Sequence, residues 1–289
     1  MAQKSHSHGY QCEDCGTPLS GPYCSTCGQH DVDYNRSFLH IIEDALEGVL
    51  HLDGKFFRSA RFAITRPGFL TAEFIAGRRT RYTQPLRFYF FASFLLFAVV
   101  YVVGKTHRQA VIPAASQAQP GIHLKVASLS NDSGVFNNPI QFRSDEKDAA
   151  KNEQFASEFS HMLPTVFFLC VPFLALVLKL AYIRSGRLYL EHLIFALHLQ
   201  GAAFLWFIVI WVGWWLGSFA GAGFANGVGD ILLILLLYMG FRAFRVVYGQ
   251  SILQTALKCL LVGVLYAVVV VFSFVALSSS LSYLVGFSA

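Results

Sequence analysis

The stretch that decides the fold is residues 86–104, LRFYFFASFLLFAVVYVVG, in which Arg87 is the only charged residue. An α-helix needs about 20 predominantly apolar residues to cross a hydrocarbon core about 30 Å thick. No proline interrupts the run, and Phe, Leu and Val fill most of it. Residues 86–104 are therefore predicted to form a transmembrane helix.

Four more apolar segments follow, at about residues 162–183, 193–217, 229–248 and 255–285. Each is long enough to cross a bilayer, although Arg242 and Arg245 shorten the apolar core of the segment at 229–248. Only 13% of all residues are charged, whereas a soluble domain carries about 25%. The sequence therefore predicts an all-α, polytopic membrane protein with about five transmembrane helices.

The region before the first span is polar enough to stay in the cytoplasm. Residues 1–11 lack the apolar core of a signal peptide and are predicted to be a disordered tail. Residues 31–85 are predicted to form juxtamembrane amphipathic helices. In residues 38–52 the apolar side chains recur at helical spacing, with acidic residues on the other side.

Two more short helices are predicted over residues 53–66 and 67–77. Pro67 suits the first position of a helix, and Gly77 suits the position just past the last turn. Several Phe and Ile side chains give both helices an apolar face.

Basic residues dominate the last part of this region. Residues 53–87 contain eight Lys and Arg, and their only acidic residues are Asp53 and Glu73. An Arg-rich amphipathic stretch before a span fits a segment lying on an anionic membrane surface, where each basic residue contributes about 1 kcal/mol. The alternative is an apolar face packed on the helix bundle with a solvated basic face. The predicted membrane-surface residues are Lys55, Arg58, Arg61, Arg78, Arg79, Arg81 and Arg87.

The Lys and Arg distribution predicts the topology. Basic residues flank the first span on its N-terminal side, lie between the second and third spans, and lie near the junction of the fourth and fifth. The loop at residues 218–229 and the C-terminus have none. We therefore expect a cytoplasmic N-terminus and a C-terminus outside, with residues 105–160 as a partly disordered external loop. Its helical part is expected from about residue 144.

The strongest chemical signal lies in residues 12–30, where Cys12-Glu-Asp-Cys15 and Cys24-Ser-Thr-Cys27 form two C-x-x-C pairs. In a reducing compartment, clustered cysteines bind metal more often than they form disulfides. Four thiolates make a closed tetrahedral site, which is typical of structural zinc and leaves no open catalytic position. One structural zinc per chain is predicted, with iron as the main alternative metal and a redox dithiol pair as the alternative without metal.

The pattern Cys-x-x-Cys-Gly … Tyr23-Cys-x-x-Cys-Gly-Gln29 resembles the short zinc ribbons of many bacterial membrane proteins. Further motifs extend the resemblance, namely Asp53-Gly-Lys-Phe, Arg66-Pro-Gly68, Gly77-Arg-Arg-Thr-Arg-Tyr82, Pro85-Leu-Arg-Phe-Tyr-Phe-Phe-Ala-Ser-Phe94 and Glu191-His-Leu-Ile-Phe-Ala-Leu-His198. Together they are similar to an uncharacterised bacterial family of zinc-ribbon membrane proteins, a domain of unknown function. The resemblance covers roughly residues 12–100 and 184–260 and implies the bacterial inner membrane, but no activity.

Three polar residues of the third and fourth spans form a candidate intramembrane site, namely Glu191, His198 and Arg242. Glu191 and His198 share a helix face, and an ionisable group inside a membrane is a functional candidate. The simpler alternative places Glu191 at the interface, His198 in a hydrogen bond inside the bundle, and Arg242 at the headgroups.

The favoured function is a non-enzymatic scaffold or sensor that presents the zinc ribbon to a cytoplasmic protein partner and contacts the lipid bilayer. No nucleophile elbow, phosphate-binding loop or His-Glu-x-x-His motif supports an enzyme. The alternatives are a transporter or channel subunit, and a membrane enzyme acting on lipid or peptide. Nucleic acid is disfavoured as a partner because the Arg cluster adjoins the membrane, where lipid headgroups are the simpler partner. The sequence is compatible with a homo-oligomer.

Overall fold

The computed structural model describes residues 11–30, 54–116 and 146–286, and their side chains over residues 11–30, 54–103 and 162–277 and at Ser279. Nearly all of the predicted tail, the predicted helix at residues 38–52 and the middle of the loop at residues 105–160 lie outside these ranges.

Seven helices form the described part of the chain, apart from two isolated β-bridges in residues 11–30. A 3₁₀ turn, Ile183–Ser185, separates the fourth helix from the fifth. The helices are α1 (Gly54–Thr65), α2 (Phe69–Ile75), α3 (Pro85–Ser116), α4 (Glu146–Ala181), α5 (Tyr189–Ser218), α6 (Ala222–Tyr248) and α7 (Ile252–Gly286).

Five of these helices are long and apolar enough to span a membrane, which confirms the predicted fold class. The spans are Pro85–Val103, Met162–Ala181, Tyr189–Ser218, Ala222–Tyr248 and Ile252–Leu277. The third and fourth begin several residues before the apolar runs predicted at 193 and 229. Backbone hydrogen bonding can continue a helix beyond the apolar core of the membrane, so an apolar run in the sequence underestimates the length of its helix.

The helical structure of α3 extends beyond the first span to Ser116, although residues after 104 were predicted as loop. Lys105, Arg108 and Ala110 have good helix propensity, and no proline lies between residue 104 and Pro113. On the other side of the loop, α4 begins at Glu146 and continues into the second span. Residues 98–163 form a compact unit of their own.

The central helix of the larger unit, residues 1–97 and 164–289, is α5. Within its most apolar window 61% of the residues are buried, against 33% or less in the other four spans. Phe195 packs edge-on against Phe244 at 5.1 Å, and Gly217 lies against Ala225. These contacts show that α5 and α6 form an antiparallel pair.

The apolar faces of α1 and α2 pack on this bundle. Phe56, Leu70 and Phe74 are buried in the same core as residues of α3 and α5. The amphipathic pattern therefore buries its apolar side against protein, as in the packed-bundle alternative, and leaves the basic side outward.

The bounds of α2 correct one prediction and agree with another. Pro67 does not start the helix, because Gly68 forms the N-cap with φ +77° and Phe69 is the first helical residue. An ideal Cβ on Gly68 would lie 2.9 Å from the carbonyl oxygen of Ala243, so close helix contact requires glycine here. At the other end, Gly77 donates to Phe74 as expected for the residue after the last turn.

Candidate metal centre

Two turns of the same design carry the four cysteines. The backbone N–H of Gly16 donates to the Cys12 carbonyl at 2.8 Å, and that of Gly28 donates to the Cys24 carbonyl at 2.9 Å. Both glycines have positive φ, +75° and +74°, which glycine adopts without steric cost. The repeated turn aims both thiols of each C-x-x-C pair at one point.

The sulfur atoms have the spacing of a metal site. All four Sγ atoms lie within 4.8 Å of one another, and the Cys12–Cys27 and Cys15–Cys24 distances are both 3.5 Å. A tetrahedral ion with Zn–S bonds of about 2.3 Å needs sulfurs about 3.8 Å apart. All four cysteines are free thiols, so the cluster can hold a metal ion.

The thiols differ in their electrostatic surroundings. A hydrogen bond with the Thr17 hydroxyl lowers the pKa of Cys15 to about 6. Desolvation raises the pKa of Cys27 to about 12. A bound cation favours the thiolate form of every ligand, so metal binding would overcome the desolvation at Cys27 and release protons.

Polar contacts anchor the metal centre on a loop between α2 and α3, which we call the docking loop (residues 77–81). The buried Gln29 amide donates to the Gly77 carbonyl at 2.8 Å. The Thr80 hydroxyl donates to Asp14 at 2.6 Å. Gly77 has a φ of +83°, and an ideal Cβ on it would lie 2.8 Å from the Glu13 Cβ, so glycine is favoured at this contact.

The docking loop is itself held by an ion pair. The Arg78 Nε donates to the Glu73 Oε2 at 2.8 Å, and the Arg78 backbone N–H donates to the Glu73 carbonyl at 3.0 Å. The hydrogen bond from Arg78 lowers the pKa of Glu73 below its usual value. The Arg79 guanidinium lies 5.1 Å from the centre of the Phe74 ring.

The predicted membrane-surface residues lie in two settings. Lys55, Arg58, Arg61 and Arg81 are exposed, whereas Arg78, Arg79 and Arg87 are half-buried. Three of them also face the metal centre, in an open groove of about 1040 Å³ counting its mouth. The charged residues of that groove are Lys55, Arg58, Arg81 and Asp14.

Two of the three residues of the candidate intramembrane site have partners of their own, and the third is exposed. Glu191 forms an ion pair with Arg187 at 3.0 Å. His198 is buried and its Nδ1 lies 3.1 Å from the Thr71 hydroxyl. Arg242 is exposed. No hydrogen bond or ion pair among the described residues joins Glu191, His198 and Arg242.

Two polar contacts were not predicted from the sequence. Thr71 of α2 reaches His198 of α5 across 127 positions, and the fully buried His192 places its Nδ1 2.8 Å from the Tyr248 hydroxyl. The motif Gly77-Arg-Arg-Thr-Arg-Tyr82 contains the docking loop, and its contacts with Asp14 and Gln29 are not predictable from the motif itself.

One segment of the chain matches a known family model. Residues 53–97 match the model of a family described as a protein of unknown function (DUF3667). The match covers α1, α2, the docking loop and the first part of α3. No curated protein and no solved structure gives a significant match to the chain.

Proposed function

We propose that this integral membrane protein carries one structural zinc ion on Cys12, Cys15, Cys24 and Cys27. The spacing of the four sulfurs supports a tetrahedral ion, and a complete thiolate set favours a closed structural site. The segment that holds them is too small for an apolar core, so the ion would supply its folding free energy.

The proposed role of this zinc ribbon is that of a non-enzymatic scaffold for a cytoplasmic protein partner. The proposal rests on the contrast between two sides of the ribbon, since one side contacts the docking loop and the other side is exposed. Asp14 and Gln29 bind the docking loop, whereas Tyr23 is 61% exposed and stacks on His30 at 4.4 Å. Exposed tyrosine is enriched at the centres of protein interfaces, because it supplies contact area at low entropic cost.

The contacts of Glu191 and His198 favour the scaffold over a transporter or an enzyme. The charge of Glu191 is offset by its ion pair with Arg187, and the His198 Nδ1 is hydrogen-bonded with the Thr71 hydroxyl. In an acid–base site or a substrate-binding site, the side chains of Glu191 and His198 would have to face the same cavity, and these separate partners do not favour that arrangement.

The proposed location is the bacterial inner membrane, with the ribbon in the cytoplasm and the C-terminus outside. The basic residues Lys179, Arg187, Arg242 and Arg245 lie near the span ends that would be cytoplasmic under the positive-inside rule. A phosphatase that folds only outside should be active when fused to the C-terminus and inactive when fused near the ribbon. The reverse pattern contradicts this orientation.

The partner hypothesis is tested by crosslinking in cells, followed by purification of the full-length chain. We expect a specific protein to copurify with the wild type, to be lost with Tyr23→Ala, and to remain with the control Tyr101→Ala, which changes an exposed tyrosine of α3. Metal content should be unchanged in Tyr23→Ala. Equal recovery of the same proteins with Tyr23→Ala and the wild type would contradict the role of this surface.

A further inference from the structure

Helix α1 lies beside the start of the first span. Near the N-terminal end of α1, the centre of the Phe56 ring lies 5.3 Å from that of Phe91. Farther along α1, the Ser59 hydroxyl accepts a hydrogen bond from the Thr83 backbone N–H at 2.9 Å. The span begins at Pro85. Because Thr83 and Phe91 lie on opposite sides of that point in the chain, α1 crosses the level at which the span begins.

The first turn of this span marks the edge of the hydrocarbon. Arg87 is the only charged residue in residues 85–103, and a charged side chain near a span end extends toward the headgroups. Phe91 lies about 6 Å farther along the helix axis than Arg87. A headgroup layer is about 5–8 Å thick, whereas a helix with its side chains is about 10 Å across. Helix α1 therefore lies in the headgroup layer and at the outer edge of the hydrocarbon.

The side of α1 that points away from the bundle is cationic and carries one large apolar side chain. Phe57 is 66% exposed, although its neighbour Phe56 is buried. Arg58 and Arg61 are also exposed, and neither forms an ion pair among the described residues. No Asp or Glu occurs in residues 54–66. Side chains three and four positions apart are neighbours on a helix, so Phe57, Arg58 and Arg61 form one surface, which we call the outer face of α1.

The outer face of α1 is distinct from the groove beside the metal centre. Lys55 and Arg58 line that groove, whereas Phe57 and Arg61 do not. Arg58 therefore lies between the two surfaces, and Lys55 belongs to the groove alone.

An aromatic ring between arginines matches the headgroup region of an anionic membrane. In that region the ring can lie among the ends of the acyl chains while the guanidinium groups reach phosphate oxygens. Burial of an exposed phenylalanine in lipid also removes apolar surface from water, which is favourable. An acidic soluble protein would offset the arginines too, but at this depth lipid occupies the space beside the helix.

We propose that the outer face of α1 binds the headgroups of anionic phospholipids, with Arg61 and Arg58 on the phosphates and Phe57 at the ends of the acyl chains. A typical interfacial helix buries its apolar face in lipid. In α1 the apolar face packs on the bundle core, and the basic face meets the lipid. This binding does not depend on the metal centre.

The depth of Phe57 is tested with a fluorescent residue in the full-length protein, reconstituted into vesicles of phosphatidylcholine and phosphatidylglycerol. Phe57→Trp adds emission to that of the four native tryptophans, and lipid with brominated acyl chains should quench the added emission. Phe94→Trp, at an exposed position within the first span, should be quenched as well. Tyr23→Trp in the ribbon should not. Quenching of the Phe57→Trp emission by aqueous acrylamide, with none by brominated lipid, would overturn the proposal.

The role of the arginines is tested by brominating only one of the two lipids. Brominated phosphatidylglycerol should quench the Phe57→Trp emission more strongly than an equal fraction of brominated phosphatidylcholine. Adding Arg61→Gln should lower the relative affinity for phosphatidylglycerol about fivefold, as expected for one basic residue at an anionic surface.

The matched control is Lys55→Gln, which removes an exposed cation from the side of α1 that faces the metal centre. It should lower the relative affinity for phosphatidylglycerol less than Arg61→Gln does. Equal quenching by the two brominated lipids, or equal losses with Arg61→Gln and Lys55→Gln, would contradict headgroup binding by the outer face of α1.

Discussion

At the scale of single residues, Thr71 and His198 form a buried contact whose loss should be measurable. Thr71→Val keeps the shape but removes the hydroxyl 3.1 Å from the His198 Nδ1. Leaving that nitrogen without a partner should lower the free energy of unfolding by about 1–3 kcal/mol. Unfolding in mixed detergent and dodecyl sulfate micelles measures the change.

A double-mutant cycle separates this hydrogen bond from packing. Thr71→Val combined with His198→Phe should cost less than the sum of the single changes, because neither residue then leaves a polar atom without a partner. Strictly additive costs would mean that the two side chains do not interact.

Gly77 is the residue on which docking of the metal centre depends. Gly77→Ala would place a methyl group against the Glu13 carboxylate, at a backbone φ of +83°. Gly186→Ala is the control, because it has φ +69° but no neighbouring atoms. Each change carries backbone strain of about 1–2 kcal/mol. Only Gly77→Ala should speed limited proteolysis between the ribbon and α1, and equal cleavage in both variants would contradict the docked arrangement.

The Glu73–Arg78 pair predicts a pH dependence. Because Arg78 lowers the folded-state pKa of Glu73, the pair stabilises the fold above the usual glutamate pKa of about 4.3. That stability is lost as pH falls through the lower folded-state value. Melting temperatures of the wild type and Glu73→Gln should therefore differ near neutral pH, and the difference should shrink progressively as pH falls below about 4.3. A constant difference across this range would show that the pair does not supply the effect.

Sequence alone could predict the cluster of four cysteines but not these contacts. The two C-x-x-C pairs are predictable because each turn forms within a few consecutive residues and places both of its thiols close together. Thr71 and His198 meet only because α2 packs on α5, and neither residue is distinctive by itself. The role of Gly77 was partly predictable, as a glycine after a helix, while its contact with Glu13 depended on where the ribbon lies.

At the scale of elements, the close approach of α5 and α6 should depend on Gly217. An ideal Cβ there would lie 3.0 Å from the Ala225 Cα, and small residues allow helices in membranes to approach this closely. Gly217→Val should lower the free energy of unfolding by about 1–3 kcal/mol. Gly227→Val, where no atom lies within 4 Å of an ideal Cβ, should change it by less than about 0.5 kcal/mol. Similar losses in both would contradict the contact.

The spans were predictable because length and apolar composition are sufficient to identify them. Helix ends were not, since the extension of α3 to Ser116 lies beyond the apolar run. The amphipathic pattern of α1 and α2 fits either lipid or protein on its apolar side. Only the burial of Phe56 and Phe74 in the bundle core distinguishes the two.

At the scale of the whole molecule, the docking loop places the metal centre immediately before the first span. The ribbon contacts residues 77–81, and the span begins at Pro85. Basic residues of α1 and the docking loop face the same groove as Cys15 and Cys27. If the thiolates hold zinc, the centre carries a net charge of about −2 that these cations would offset.

The metal centre is tested most directly by the metal content of the purified full-length protein, measured beside that of a Cys24→Ser, Cys27→Ser variant. We expect about one zinc per chain in the wild type, as a single four-thiolate site requires, and none in the variant. Iron in place of zinc would correct the identity of the ion. A wild-type chain that is free of metal when purified under reducing, chelator-free conditions would contradict the metal centre itself.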